Sequence, residues 1–143
     1  MKSNGGFLIS RIKAVSSRQF EKLLSDSGIA EFNGAQGRIL YVLWQEDSLP
    51  IVELSRKTGL AKNTLTSMLD RMEAAGHIRR VPAPSDRRQT LIVLTEQARA
   101  LDKKYNEVSE IATQRFYKGF TKEEILRFEA TLERILHNLE QEE

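Results

Sequence analysis

The chain has 143 residues, 29% charged and 40% hydrophobic, so it can bury a core without covalent staples and is too apolar to be a disordered tail. It contains no cysteine, which excludes disulfides, zinc–thiolate sites and thiol-based redox sensing. The net charge of +2 hides an asymmetry: residues 51–95 hold eight Lys/Arg against four Asp/Glu, whereas residues 96–143 hold eight against eleven, the footprint of a nucleic-acid reader whose remaining surface avoids phosphates.

Near the N-terminus the apolar run from Phe7 is cut off by Arg11. No signal-peptide core is expected there, no stretch approaches the length of a membrane span, and a cytoplasmic protein is expected. Ile9, Ile12, Phe20 and Leu23 predict a first helix over 7–25, closed by Ser27-Gly28. Asn33 suits the N-cap of a second helix over 34–46, whose Ile39, Leu40, Val42, Leu43 and Trp44 mark it as the buried centre. Asp47-Ser48 reads as a loop, and Pro50 suits the first position of the next helix.

Leu54 is expected to start a short helix that Thr58-Gly59 closes. A second helix follows over 61–75, with Leu65, Met68, Leu69 and Met72 on its apolar face. Gly76 supplies a left-handed residue to end it, and Ile78 the apolar contact that accompanies such a cap. Two helices joined by a tight glycine turn are the helix-turn-helix signature, and the second of them enters the major groove. The β-prone runs 78–81 and 90–94 flank a basic, turn-rich loop over 82–88, and together they read as a hairpin whose prolines keep the loop out of the ladder. Thr95 and Glu96 suit a helix start, followed by an apolar stripe through Ala98, Leu101, Tyr105, Val108 and Ala112. After a break at Lys118-Gly119-Phe120, Thr121 and Glu124 form a capping box. Ile125, Phe128, Leu132, Ile135 and Leu139 then alternate by three and four, predicting helices that pack lengthwise on other helices.

Two groups of side chains carry the chemistry. Lys62, Asn63, Thr64, Thr66 and Ser67, with Arg71 further along, are short and polar or basic, suited to approach base edges or phosphates. Arg87 and Arg88 sit at the loop tip, with Arg79 and Arg80 at its base, and a tip guanidinium can enter a narrow minor groove. Asp86 is either a turn-former or the partner that holds a neighbouring arginine in a bidentate pair. An enzyme is not expected: there is no phosphate-binding glycine loop, no cysteine nucleophile, and neither His77 nor His137 has a Ser or Asp at catalytic spacing or a metal-ligand cluster beside it in the sequence. No metal or other cofactor is expected. The rival reading is a winged-helix protein-interaction module without DNA binding, which would expose an apolar patch where this chain has a basic wing.

These residues resemble the multiple-antibiotic-resistance regulator (MarR) family of winged-helix repressors. The likeness lies in the Leu54-Ser55 helix, the Thr64-x-Thr66 segment, Asp70-Arg71-x-Glu73 through Gly76, Asp86-x-Arg88 followed by Val93-Leu94-Thr95, and Gln36. The resemblance implies a mainly α (α+β) fold: a winged helix-turn-helix DNA-binding lobe over 34–95 and a helical dimerisation lobe built from 1–30 and 96–143. It also implies a homodimer on a double-stranded operator with inverted half-sites, and Arg88 as the minor-groove arginine oriented by Asp86. A small aromatic or amphipathic effector would sit between the lobes, near Phe7, Arg11, Tyr41, Trp44 and Tyr105, although aromatic residues at helical spacing also serve as plain core. The organic-peroxide-sensing branch is excluded for want of cysteine. This chain departs from the family pattern at Ala61, where a Ser or Asp cap is usual, and at Ala98, where Gly is usual. A lost cap costs about 1 kcal/mol unless another group replaces it.

Overall fold

A computed structural model describes residues 1–29 and 34–143; the expected cap at Asn33 lies outside the described residues. The elements run α1 (Gly5–Asp26), α2 (Gly34–Gln45), β1 (Leu49–Pro50), α3 (Ile51–Thr58), α4 (Lys62–Ala74), β2 (Ile78–Pro82), β3 (Thr90–Leu94), α5 (Glu96–Ala100), α6 (Asp102–Phe116) and α7 (Lys122–Glu140). The three strands form one antiparallel sheet in the order β1-β3-β2. The fold is mainly α with a small sheet, as expected. No described helix is long and apolar enough to cross a membrane.

Most elements fall where periodicity and caps place them, and the differences have local causes. Helix α3 begins at Ile51, three residues before Leu54, because Pro50 is its extended N-cap (φ −64°, ψ 154°) rather than its first helical residue. That extension lets Leu49 and Pro50 pair with Ile92 and Leu91 and buries Leu49 beneath the sheet. Proline is tolerated on such an edge strand because it has no N–H to leave unpaired. Pro82 likewise stays in the ladder, opposite Thr90, so only Pro84 lies in the loop proper. The helix expected to run on from Thr95 is broken at Leu101. The Trp44 indole Nε1 donates to the Ala98 carbonyl at 3.0 Å, and Leu101 N reaches the same oxygen at 3.2 Å. That carbonyl is thus occupied where an unbroken helix would use it, the turn tightens, and Tyr105 N starts a new ladder on Leu101 O.

The main core joins α2 (Ile39, Leu40, Leu43) to the helix-turn-helix (Leu54, Leu65, Leu69, Met72) and the sheet (Leu49, Ile78, Ile92, Leu94), each 5% exposed or less. Each such burial is worth about 1.5–3 kcal/mol, and together they fix the attitude of α4 relative to the hairpin. A second cluster, Leu24, Ile29, Tyr105 and Val108, packs α1 against α6. Trp44 and Leu101 touch both clusters and weld the two parts of the chain. Tyr105 lies so close to α2 that a Cβ at Gly37 would stand 2.7 Å from its hydroxyl oxygen, which explains a glycine in the middle of an otherwise apolar helix.

Helix α7 is different. Its start carries the expected capping box, with Glu124 N donating to Thr121 Oγ1 (3.1 Å) and Thr121 N to Glu124 Oε1 (2.9 Å). Yet none of its residues is buried, and Leu126, Ile135, Leu136 and Leu139 are exposed, as are Phe7, Leu8, Ile9, Ile12 and Val15 on α1.

Candidate nucleic-acid interface

The turn between α3 and α4 is laced by side chains. Thr58 Oγ1 donates to Leu54 O (2.7 Å) and accepts from Leu60 N (3.3 Å), Ser55 Oγ donates to Leu60 O (2.7 Å), and Gly59 takes a left-handed φ of 71°. The turn delivers α4 with Lys62, Asn63, Thr64, Thr66, Ser67 and Arg71 all exposed, opposite the buried Leu65, Leu69 and Met72. Thr66 Oγ1 donates back to Lys62 O at 2.9 Å, leaving the hydroxyl's lone pairs outward. Ala61 is the N-cap residue and offers no side-chain cap, so the departure from the family pattern leaves the start of α4 without that bond.

The wing is locked to α4 by a residue that sequence reasoning placed only at the hairpin base. Arg80 Nη2 meets Asp70 Oδ1 and Arg80 Nη1 meets Glu73 Oε1, both at 2.8 Å, while Arg80 N donates to Glu73 Oε2 at 3.2 Å. This one guanidinium fixes the angle between recognition helix and wing, and it cancels two carboxylates that would otherwise repel phosphates. The legible signal was the Asp70/Glu73 pair one turn apart, followed by a basic strand residue. Arg80→Ala should lower folding stability by only about 1 kcal/mol, because the pair is partly solvated. It should weaken binding to any duplex about tenfold by leaving both acids unmatched; urea unfolding and fluorescence anisotropy measure the two effects separately.

At the other end of the hairpin, Arg87 and Arg88 form an exposed turn with no ion pair among the described residues. Asp86 does not grip a guanidinium: its Oδ1 accepts the backbone N–H of Arg88 at 3.0 Å, the turn-forming role. Ala83 N donates to Gln89 O (2.8 Å) and Gln89 N to Asp86 O (3.0 Å), closing the loop beneath the two arginines. Arg79 is exposed on β2, opposite Val93. The hairpin is braced from behind by Asp47, whose Oδ1 accepts Leu94 N (3.0 Å) and whose Oδ2 accepts Arg99 Nη2 (2.8 Å).

The residues named for an effector are only partly brought together. A cleft of about 520 Å³ between α1, α2, α6 and α7 is walled by Phe20, Tyr41, Tyr105, Phe116 and Tyr117, with hydroxyls from Ser16, Ser17, Ser109 and Thr113. Tyr41 and Tyr105 therefore share it. Trp44 stands behind, its ring centroid 4.9 Å from that of Tyr105. Arg11 lines a separate groove of about 400 Å³ between α1 and α6, and Phe7 is exposed and lines neither. What sequence reasoning missed is Arg38, which lines the cleft and is the only charged side chain of α2. Burial, with the Tyr41 phenol adding to it, pushes the Tyr105 hydroxyl up to about 12. The folded state thus favours the neutral phenol, and the stability it contributes is present below pH 10 and lost as pH rises from 10 toward 12. The urea midpoint should fall over that window, and the fall should be smaller in Tyr105→Phe.

Comparison with known proteins agrees with this geometry. The sequence model of the MarR family matches residues 32–90. The chain is 41% identical over 71 residues to the HTH-type transcriptional regulator TtmR of Methylorubrum extorquens, covering 50% of this chain and 36% of that protein. It is 27% identical over 134 residues to the HTH-type transcriptional repressor IacR of Pseudomonas putida, covering 94% of this chain and 78% of that one. Among solved structures it is similar to a mutant MarR from E. coli complexed with operator DNA, at a TM-score of 0.81 and 27% identity, covering 92% of each chain.

Proposed function

Because the chain belongs to the MarR family of winged helix-turn-helix regulators, we propose that it is a sequence-specific DNA-binding transcription regulator, acting as a repressor on a pseudo-palindromic operator. The observation that carries this reading is the surface left by α4 and the wing. It presents Lys62, Asn63, Thr64, Thr66, Ser67, Arg71, Arg79, Arg87 and Arg88 to solvent, and no large apolar side chain between residues 53 and 110 is exposed. A protein-docking surface would need such an apolar patch. In this reading the α4 side chains read the major groove, and Arg88 enters the minor groove at a place set by Asp86 and the closed loop.

The chain works as a cytoplasmic homodimer. Residues 34–95 form the DNA-binding lobe, and residues 1–30 and 96–143 the dimerisation lobe, in which the exposed apolar residues of α1 and α7 meet their copies. A small aromatic or amphipathic effector acts from the cleft around Tyr41 and Tyr105, which is large enough for such a molecule. No cofactor is required. Nuclease footprinting on the DNA upstream of the protein's own gene should show two protected half-sites with centres about one helical turn, ~10 base pairs, apart. Protection of a single half-site, or none at saturating protein, would contradict the dimeric repressor.

A further inference from the structure

Between α5 and α6 the chain turns at a single residue, Leu101, and there it leaves one core cluster for the other. Helix α5 is tied to the helix-turn-helix and sheet. Thr95 Oγ1 donates to Gly76 O (2.7 Å) and Thr95 N to His77 O (3.1 Å), Arg99 Nη2 meets Asp47 Oδ2 (2.8 Å), and Trp44 Nε1 donates to Ala98 O (3.0 Å). Helix α6 belongs to the other side, its Tyr105 and Val108 packed with Leu24 and Ile29. Among the described residues the two clusters share no buried side chain, and Trp44 and Leu101 are the ones that pack against both.

The bend at this joint is set by one carbonyl. In an unbroken helix Ala98 O would accept from Asp102 N, four residues on. Here it accepts from the Trp44 indole and, at 3.2 Å, from Leu101 N, so the ladder ends and restarts with Tyr105 N on Leu101 O. The Trp44 ring is itself seated on α6, its centroid 4.9 Å from that of Tyr105 with the planes at 55°. One indole thus holds α5 through its N–H and α6 through its ring. Building on the reading of the chain as a dimeric operator-binding regulator, we propose that Trp44 is the positioning residue that sets which half-site spacing the dimer accepts. The exposed apolar residues of α1 and α7 lie on the α6 side of the joint, and α4 with the wing on the α5 side. The bend at Leu101 therefore fixes the separation and rotation of the two recognition helices, and twofold symmetry applies any change in it twice. Each base pair added between half-sites moves one of them by about 3.4 Å and turns it by about 34° around the duplex. A stiff joint cannot follow, and the gain from engaging both half-sites is lost when geometry forbids it.

Trp44 is the chain's only tryptophan, so a benzothienyl isostere, with sulfur where the indole N–H stood, alters this one site. Trp44→Phe removes the donor and part of the ring; the isostere removes the donor alone and carries the test if Trp44→Phe does not fold. The probes are the duplex footprinted upstream of the gene and versions with one base pair removed, or one or two inserted, between the half-sites. The wild type should lose at least about 30-fold in affinity on every altered duplex. Both variants should bind the unaltered duplex within about threefold of wild type, and should lose less than about fivefold on the altered ones. A merely structural tryptophan would weaken all spacings by a common factor and leave their ratios unchanged.

A second readout needs no DNA. Because the chain has no cysteine, Ser67→Cys places one spin label on the exposed face of α4 in each protomer. The label-to-label distance should be narrowly distributed with Trp44 in place and at least about twice as broad in either variant. In the variants the freed Ala98 carbonyl can take Asp102 N, whose amide exchange should slow, the reverse of what a loss of packing produces. Spacing ratios and label distances equal to those of wild type overturn the role of Trp44. A wild type that itself tolerates the altered spacings overturns the fixed joint while the regulator reading stands. A wild type that sediments as a monomer overturns the dimeric reading, and the spacing role with it.

Discussion

Replacing Leu136 and Leu139 by glutamate should convert the protein to a monomer and reduce its affinity for a two-half-site operator by at least about 100-fold. Both side chains are exposed on α7, at 56% and 62%, beside Ile135, and α7 buries none of its residues within the chain. A helix of 19 residues with four exposed large aliphatic side chains has its partner elsewhere, and the similarly apolar start of α1 gives it company. Two glutamates per protomer at a twofold interface would put four charges where apolar contacts belong, each far costlier to bury than the leucine it replaces. The helix-turn-helix core contains no α7 residue, so each monomer should keep its wing and recognition helix. The affinity falls because the second half-site is no longer engaged at an effective concentration in the millimolar range, a gain that spans about 10²–10⁴. Sedimentation and anisotropy on the same sample decide it. A variant that remains dimeric, or a monomer that holds DNA as tightly as wild type, would remove α7 from the assembly.

Arg88→Ala should weaken operator binding by about 1–3 kcal/mol, roughly 5- to 150-fold, while leaving the urea unfolding curve in place. The side chain is exposed and unpaired among the described residues, so nothing in the free protein depends on it. Its whole contribution lies in the complex. Asp86→Ala should have a smaller effect, a few-fold. The carboxylate holds only the backbone N–H of Arg88, and the Ala83–Gln89 hydrogen bond continues to close the loop without it. Arg87→Ala should act as a phosphate contact, weakening all duplexes alike and reducing the salt slope by about one. Unchanged affinity in Arg88→Ala and Asp86→Ala at physiological salt would take the wing out of the mechanism.

How much of this was legible beforehand depended on whether the signal was local. Helices α4 and α7, the turn at Thr58-Gly59, the left-handed Gly76 and the Thr121/Glu124 capping box follow from spacing and backbone preference, and the structure has them in place. The short elements did not follow. Whether Leu49 and Pro50 extend into a strand depends on β3, forty residues away, and the break at Leu101 depends on an indole from α2. Propensity cannot report either, because the deciding bond is tertiary. The same division runs through the site. The exposed polar face of α4 and the basic wing tip were readable as composition. The side of Asp86 that matters, the Arg80 lock on Asp70 and Glu73, and the place of Arg38 in the cleft wall were not, since each depends on which of several nearby groups a flexible side chain meets. The residues named for an effector are dispersed for the same reason: Tyr105 lines the larger cleft, Arg11 a separate groove, and Phe7 neither.

The central claim is that α4 and the wing form a sequence-reading, phosphate-binding surface. It is tested most directly by titrating the purified protein, by fluorescence anisotropy, against DNA from upstream of its own gene and against a random duplex across several salt concentrations. Tight binding that prefers the upstream DNA, falling linearly in log–log form with added salt as counterions are released, is the result expected. Absence of binding to either duplex at low salt would contradict it.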